Sequence, residues 1–368
     1  MRIAINLLWV KPSKMGGVES YVRNLLDGFI ELQDKYEFLL LTSKTNWHTF
    51  EKYTLDKRFS MEVLPVDSFS LLKTVLWENL YLSKCVNKLN VDFCFVPYYR
   101  CPITCHHGLR YVIVLHDLMA LHFPHYYSKA KYMWLKYYWK LSLNKCYKIV
   151  TISNFVKEDI IKQYLIKEDK IKVIYNPVAN NLPVCDVSSL INLYKVCKGN
   201  YFYTVSSLHK HKNLITIIKA FAKVNKIHPE LKFVVSGITG NAENEIQQYI
   251  KQNELETAIL FTGFISDEMR NSLMRYSKAF LFPSIFEGFG MPPIEAFRLG
   301  TKVVTTKCGS ILEITEGKAL YVDNPFNVEE WVEKMLHIDD YSFCSYSFPN
   351  YEPCVIAKSY LGYFQSLL

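Results

Sequence analysis

The chain has 368 residues, half of them hydrophobic, and a formal net charge of +8. That length allows about two domains, and that apolar content excludes a disordered chain, because a sizeable core can be buried. The moderate positive charge suits an anionic partner without choosing among a phosphorylated small molecule, an acidic lipid surface and nucleic acid.

The first residues, "MRIAINLLWVKPSKMGG", carry one Arg, a strand-like apolar run and no small-residue cleavage site, unlike a signal peptide. No stretch reaches about 18 uninterrupted apolar residues, so no membrane-spanning helix is expected. Ten cysteines are scattered without a short-spaced framework. The expectation is reduced thiols in a cytoplasmic enzyme, with peripheral contact at an anionic inner membrane face as an option.

Strand-like runs come in two sets. The first is "RIAINLLWV", "YEFLLLTS", "SMEVLPV", "VDFCFVPYY", "RYVIVLHDL", "YKIVTIS" and "KIKVIYNPV". The polar, turn-rich "VANNLPVCDVSSL" follows, and then "YFYTVSSL", "LKFVVSGI", "AILFTGFI", "KAFLFPS", "TKVVTTK" and "ALYVD". Helical patterns fall between most of them. Alternating strands and helices predict an α/β chain of two Rossmann-like domains, with parallel sheets facing a central cleft. Ligands in such sheets lie beyond the carboxyl ends of the strands. The expected boundaries are 1–178, 179–351, and a last segment, 352–368, crossing back to the first domain. Its helix is expected at about 356–367.

Candidate chemistry follows the same order. Gly16 and Gly17 come after the first strand and open a helix over Val18 to Leu26. Paired glycines permit close backbone approach, and a helix N-terminus favours negative charge. Cys101, Cys105, His106 and His107 raise a metal reading, but C-x3-C-H-H is not a common zinc spacing, and an acceptor-side loop is preferred. His116 and Asp117 end the strand "RYVIVLHDL", where a ligand contact and a histidine satisfied by a backbone carbonyl are both open. Asp117 is read as orienting its surroundings. "SKAKYMWLKYYWKLSLNKCYK" sets Lys129, Lys136 and Lys140 in a narrow stripe on an otherwise apolar helix. A helix apolar nearly all round is expected to be buried, with a membrane-surface patch as the alternative. Nothing resembles a nucleic-acid module.

"SSLHKHKN" gathers Lys210, His211 and Lys212 at the end of a strand. A fixed ammonium there could neutralise charge developing on a leaving diphosphate. "FEGFGMPPIEAFRLG" sets Glu287 before a Gly-Phe-Gly turn and Glu295 inside a helix closed by Gly300. Pro292 and Pro293 suit the first helical turn. Gly288 and Gly290 let a ligand approach the backbone, and carboxylates accept hydrogen bonds from hydroxyls. A diphosphate between two hydroxyl-rich rings, such as a nucleotide sugar, suits this arrangement. "TKCGSILEITEG" reads equally as a turn closing that site and as a helix cap, with Ser310 as N-cap and Glu313 as its capping-box partner.

These motifs in this order resemble the retaining glycosyltransferases of family 4, which have the GT-B fold. The resemblance runs over nearly the whole chain: "MGGVESYVRNLL", "VLHDL", "VTISNFVKEDI", "HKHKNLITIIKAF" and "GFISDEMRNSLMRYSKAFLFPSIFEGFGMPPIEAF". It implies transfer of a hexose from a nucleotide sugar to a glycan or lipid-linked acceptor, with retained configuration, no cofactor and no metal. It puts Lys212 on the phosphate, His116 and Glu287 at the transferred sugar, and Glu295 on the ribose. The implied donor contacts are Gly16, Gly17, Ser207, His211, Lys212, Gly288, Phe289, Gly290, Met291 and Glu295. The family usually has Arg before its phosphate-binding Lys, where this chain has His211. No residue stands out as a covalent nucleophile, so front-face substitution is favoured.

The same strings are similar to mannosyltransferases of surface-polysaccharide and lipopolysaccharide assembly, which makes GDP-mannose the first donor guess. UDP-glucose, UDP-galactose and dTDP-rhamnose are alternatives, as are a non-catalytic sugar-nucleotide-binding module and an epimerase of the same fold.

Overall fold

The protein is described by a computed structural model covering residues 1–12, 14–104, 109–342 and 346–368. It divides into two compact units: Met1–Val178 with Asn350–Leu368, and Ala179–Pro349.

The first unit carries β1 (Arg2–Asn6), β2 (Glu37–Ser43), β3 (Phe59–Leu64), β4 (Phe93–Val96), β5 (Tyr111–Leu115), β6 (Lys148–Thr151) and β7 (Ile171–Val173). Its helices are α1 (Gly17–Glu31), α2 (Leu71–Trp77), α3 (Ser83–Asn87), α4 (Met119–His122), α5 (Lys129–Lys145) and α6 (Asn154–Tyr164). The second unit carries β8 (Tyr201–Val205), β9 (Lys232–Ser236), β10 (Ile259–Gly263), β11 (Ala279–Phe282), β12 (Val303–Thr306) and β13 (Leu320–Val322). Its helices are α7 (Val187–Tyr194), α8 (Leu214–Ile227), α9 (Glu243–Gln252), α10 (Asp267–Tyr276), α11 (Met291–Arg298), α12 (Ile311–Ile314) and α13 (Val328–Leu336). The last helix, α14 (Pro353–Gln365), belongs to the first unit.

Both sheets are parallel throughout. Their orders are β3-β2-β1-β4-β5-β6-β7 and β10-β9-β8-β11-β12-β13. Central strands such as "YVIVL" and "AFLF" are buried at every residue, as expected of parallel strands covered on both faces. Edge strand β3 buries only its two ends. In each sheet the strand order reverses at one place, between β1 and β4 and between β8 and β11. A crevice opens at such a reversal, beyond the carboxyl ends of the strands.

Packing fixes the helices that flank these points. Helix α1 buries Tyr21, Val22, Leu25, Leu26 and Phe29 at helical spacing. Gly28 lets α14 come close: a Cβ there would lie 2.2 Å from the Pro353 carbonyl oxygen. The Tyr21 and Tyr360 hydroxyls bond at 2.6 Å across the same contact. In the second unit, Ile217, Ile218 and Phe221 of α8 share a core with Trp331 and Met335 of α13.

Helix α5 departs from the expectation of full burial. Leu135, Tyr138, Trp139 and Leu143 are buried, but Met133, Lys136, Tyr137, Lys140 and Leu141 face solvent. The unit needs only one apolar face of this helix, so its other aromatic and aliphatic residues stay outside. Among the described residues, no helix is long and apolar enough to cross a membrane.

Candidate active site

In the second unit, the loops leaving β8 and β11 meet at the sheet's reversal point. After β8 the chain makes a tight turn over Lys210–Lys212, closed by Asn213 in the left-handed conformation (φ 52°) at the start of α8. After β11, the Ile285 N–H donates to the His211 carbonyl at 2.9 Å, and Ser284 Oγ donates to the same oxygen at 3.3 Å. These bonds stitch the two loops together. Lys212 Nζ then lies 2.5 Å from Glu287 Oε1, with both side chains largely buried.

A third loop, after β12, supports Glu287 from beneath. Gly309 (φ +63°) has no room for a side chain, since a Cβ would lie 2.5 Å from the Glu287 carbonyl oxygen. The Ser310 N–H donates to that oxygen at 3.1 Å. Ser310 Oγ lies 3.1 Å from it and 3.0 Å from the Phe289 carbonyl oxygen. The capping-box expectation for Ser310 and Glu313 is therefore corrected. No side-chain bond caps α12, because the carbonyls of the glycine turn take the Ser310 hydroxyl. Gly309 and Ser310 act as a clasp on the turn.

The turn ends at Gly290, in the left-handed region (φ 88°), as the N-cap of α11. Pro292 and Pro293 fill the first helical turn and bring no N–H. The N–H groups of this turn therefore belong to the Gly288–Met291 stretch. The helix closes with Gly300 bonded to Phe297 and Thr301 to Ala296, the paired pattern that a left-handed glycine permits. Glu295 on α11 is 8% exposed, and Arg270 Nη2 of α10 lies 3.6 Å from it. Glu295 is also the main reason the Arg270 guanidinium is held above its ordinary value. The two glutamates thus answer to different cations.

Arg270 was not among the sequence candidates. Its only local signal is Asp267 three residues earlier, 3.1 Å away, which reads as an ordinary surface pair on a helix.

His211 precedes Lys212 but adds no charge. Burial, then the neighbouring Lys212 and His209, push its imidazole down to about 3. Beside it, Lys212 is the cation that pairs with Glu287. Ser207 is half-buried in the loop after β8, and its carbonyl oxygen accepts from the Ser206 hydroxyl at 2.9 Å. Lys212, Glu287 and the Gly288–Met291 turn are brought together within this unit.

Gly16, Gly17 and His116 belong to the first unit. Gly16 (φ 53°) is the N-cap of α1, and Gly17 is its first residue. Met15 and Val18, on either side of the pair, line a cavity of about 370 Å³ that His116 and Asp117 also line. His116 Nε2 is 3.2 Å from the Pro97 carbonyl oxygen, and burial pushes the ring down to about 4. The histidine has a backbone partner and also borders the cavity. Asp117 Oδ1 accepts the Met119 N–H at 2.9 Å and so shapes the turn into α4.

Cys105, His106 and His107 lie outside the described residues, so the metal reading has no geometry to weigh. Cys101 is buried, and its N–H donates to Ser142 Oγ at 3.2 Å.

Residues 15–181 match the family model described as Glycosyltransferase Family 4, and residues 193–339 match that of Glycosyl transferases group 1. The chain is 31% identical over 254 residues to the O-antigen chain mannosyltransferase RfbU of Salmonella typhimurium, covering 67% of each. It is 25% identical over 231 residues to the O-antigen chain mannosyltransferase B of Escherichia coli, covering 60% of this chain and 58% of that one. Among solved structures, Anabaena Alr3699/HepE in complex with UDP and glucose superposes with a TM-score of 0.73 at 19% identity, over the full length of both chains. The fold is GT-B.

Proposed function

This chain belongs to glycosyltransferase family 4, and from that premise we propose that it moves a hexose from a nucleotide sugar to a hydroxyl of a glycan or lipid-linked acceptor in surface-polysaccharide or lipopolysaccharide assembly. The observation that carries the proposal is the Lys212–Glu287 pair at the reversal point of the second sheet. An ammonium and a carboxylate held there, beside a glycine turn, suit a sugar diphosphate.

In the proposed reaction the acceptor oxygen bonds to the anomeric carbon as the bond from that carbon to the phosphate oxygen breaks. The departing diphosphate takes the acceptor proton, so no protein base is needed. Lys212 stabilises the charge on the leaving group. Glu287, with Phe289 and Gly290, holds the hexose, and Glu295, oriented by Arg270, holds the ribose. The nucleophile arrives on the face the diphosphate leaves, so configuration is retained. His116 is neutral at physiological pH and can serve the transferred sugar only as a hydrogen-bonding group. The reading assigns no cofactor and no metal.

GDP-mannose is the first donor to test, supported by the two mannosyltransferase relatives. A UDP-hexose is the second reading, favoured by the likeness to HepE bound to UDP and glucose. Peripheral membrane contact is included, motivated by exposed Met133, Tyr137 and Leu141 beside Lys136 and Lys140. Flotation with anionic vesicles but not with neutral ones is the expected result, and no flotation with either removes that element.

Incubating the protein with each nucleotide sugar tests the donor, with released nucleotide diphosphate as the readout. Release from GDP-mannose above all others supports the first reading, and release from UDP-hexoses alone replaces it. Tight donor binding without release or transfer to any acceptor would make the protein a binding module.

A further inference from the structure

We propose that α14 serves the reaction through Tyr360 and Tyr21, two positioning residues that hold the ring of His116 as the tautomer protonated on Nε2 and leave Nδ1 to accept from a hydroxyl of the transferred sugar. The proposal rests on the transferase reading above, and it adds how a neutral histidine is aimed.

The tautomer follows from one contact. His116 Nε2 lies 3.2 Å from the Pro97 carbonyl oxygen. A carbonyl oxygen only accepts, so Nε2 carries the hydrogen. Burial keeps the ring neutral at physiological pH, and Nδ1 is then a bare acceptor. It makes no hydrogen bond to any described residue, and His116 lines the cavity of the first unit. An acceptor suits a sugar there, because every sugar hydroxyl can donate.

Two routes lead from α14 to this ring. On the first, the Tyr360 hydroxyl meets that of Tyr21 on α1, 339 residues away in sequence, at 2.6 Å. The Tyr21 ring in turn meets the His116 ring edge to face, with centroids 4.9 Å apart and planes at 78°. On the second, Tyr360 and Phe364 pack on Phe95 of β4, with centroids 5.3 and 5.2 Å from it. Pro97, whose carbonyl takes the His116 N–H, comes just after that strand. The ring contact and the carbonyl that fix His116 thus both rest on one helix.

Packing alone does not call for the two hydroxyls. Tyr21 and Tyr360 are fully buried, and a buried hydroxyl costs free energy unless it is bonded. Two phenylalanines would fill the same space without that cost. The bond instead sets where the Tyr21 ring sits against α14, at a contact whose closeness Gly28 already fixes by admitting the Pro353 carbonyl. Burial first, and Tyr360 next, raise the Tyr21 phenol well above its ordinary value, so the ring beside His116 stays uncharged.

The test is a long-range proton–nitrogen NMR spectrum of the full-length protein at neutral pH, isotope-labelled on its histidine nitrogens, with steady-state transfer measured on the same variants. His116→Asn assigns the signals. The wild-type ring should carry hydrogen on Nε2 alone. Tyr21→Leu removes the ring that meets His116. It should spread the hydrogen over both nitrogens and lower kcat about tenfold, inside the roughly hundredfold that a displacement of about 1 Å can bring. Tyr21→Phe with Tyr360→Phe removes both hydroxyls and strands neither, so stability should hold while kcat still falls. In the His116→Asn background, Tyr21→Leu should lower kcat no further, because it acts through the ring. Hydrogen on Nδ1 in the wild type, an unchanged kcat in the double Phe variant, or a full loss from Tyr21→Leu in the absence of His116 overturns the proposal. No turnover by the wild type with any donor would instead count against the transferase reading, and the spectra would still decide how the ring is held.

Discussion

Lys212 and Glu287, 75 residues apart in sequence, form an ion pair at the reversal point of the second sheet. On the proposed reading, a donor diphosphate would share Lys212 with a carboxylate already in place.

Two substitutions separate their roles. Lys212→Ala should lower turnover by about a hundredfold, the scale for removing one preorganised charge from a transition state. Glu287→Gln frees the ammonium, so donor affinity should hold or rise while transfer slows. Steady-state kinetics with binding titrations read both effects. An unchanged rate in Lys212→Ala removes that residue from the mechanism.

The clasp beneath the glycine turn makes a second prediction. Gly309→Ala forces a Cβ against the Glu287 backbone at a position with positive φ, so the loop must shift. Donor binding should weaken strongly with little loss of global stability, because the strain is local. Ser310→Ala removes a hydroxyl within reach of two carbonyls and should cost about 1–2 kcal/mol in chemical denaturation. Normal donor affinity in Gly309→Ala would show that the clasp does not shape the site.

Arg270 and Glu295 should behave as one unit. Glu295→Gln and Arg270→Gln should each raise the KM for the donor more than they lower kcat. The double variant should cost less than the sum of the two, as expected for residues in contact. Additive effects in a double-mutant cycle would separate Arg270 from the carboxylate proposed to hold the ribose.

The buried histidines predict a pH profile. His116 and His211 have folded-state values pushed down to about 4 and about 3. An unfolded histidine takes up its proton near pH 6.5. Between those values the unfolded chain binds protons that the native chain does not, so stability is full above about pH 6.5 and falls as the pH drops toward the folded values. Well inside that window each histidine contributes a slope of about 1.4 kcal/mol per pH unit. Urea denaturation at stepped pH should show the loss, and His116→Asn with His211→Asn should flatten it. Equal slopes for wild type and double variant would mean these histidines are accessible when folded.

The fold was readable because its strands are continuous apolar runs. Each of the thirteen strand-like runs overlaps an observed strand. The ends were less readable: "RIAINLLWV" stays a strand only to Asn6, after which the chain turns and Trp9 Nε1 donates back to the Asn6 carbonyl. Lys212, Glu287 and Glu295 were legible as candidates from their spacing to glycines and strand ends, and the fold brings the first two together. Arg270 and the Tyr21–Tyr360 pair were not, because only the folded chain brings those groups to their partners. Ser310 was ambiguous for a physical reason. A hydroxyl before a short helix can cap it or reach a neighbouring loop, and only packing decides. Helix α5 was misjudged because its sequence does not reveal how many of its faces the unit covers.

The most direct test of the central claim is calorimetric titration of GDP-mannose, UDP-glucose, UDP-galactose and dTDP-rhamnose into the wild-type protein and Lys212→Ala. One donor should bind the wild type at a single site, and the variant should bind it at least about tenfold more weakly. Binding of none of the four, or equal binding by both proteins, would contradict the assignment of Lys212 and Glu287 to a nucleotide-sugar site.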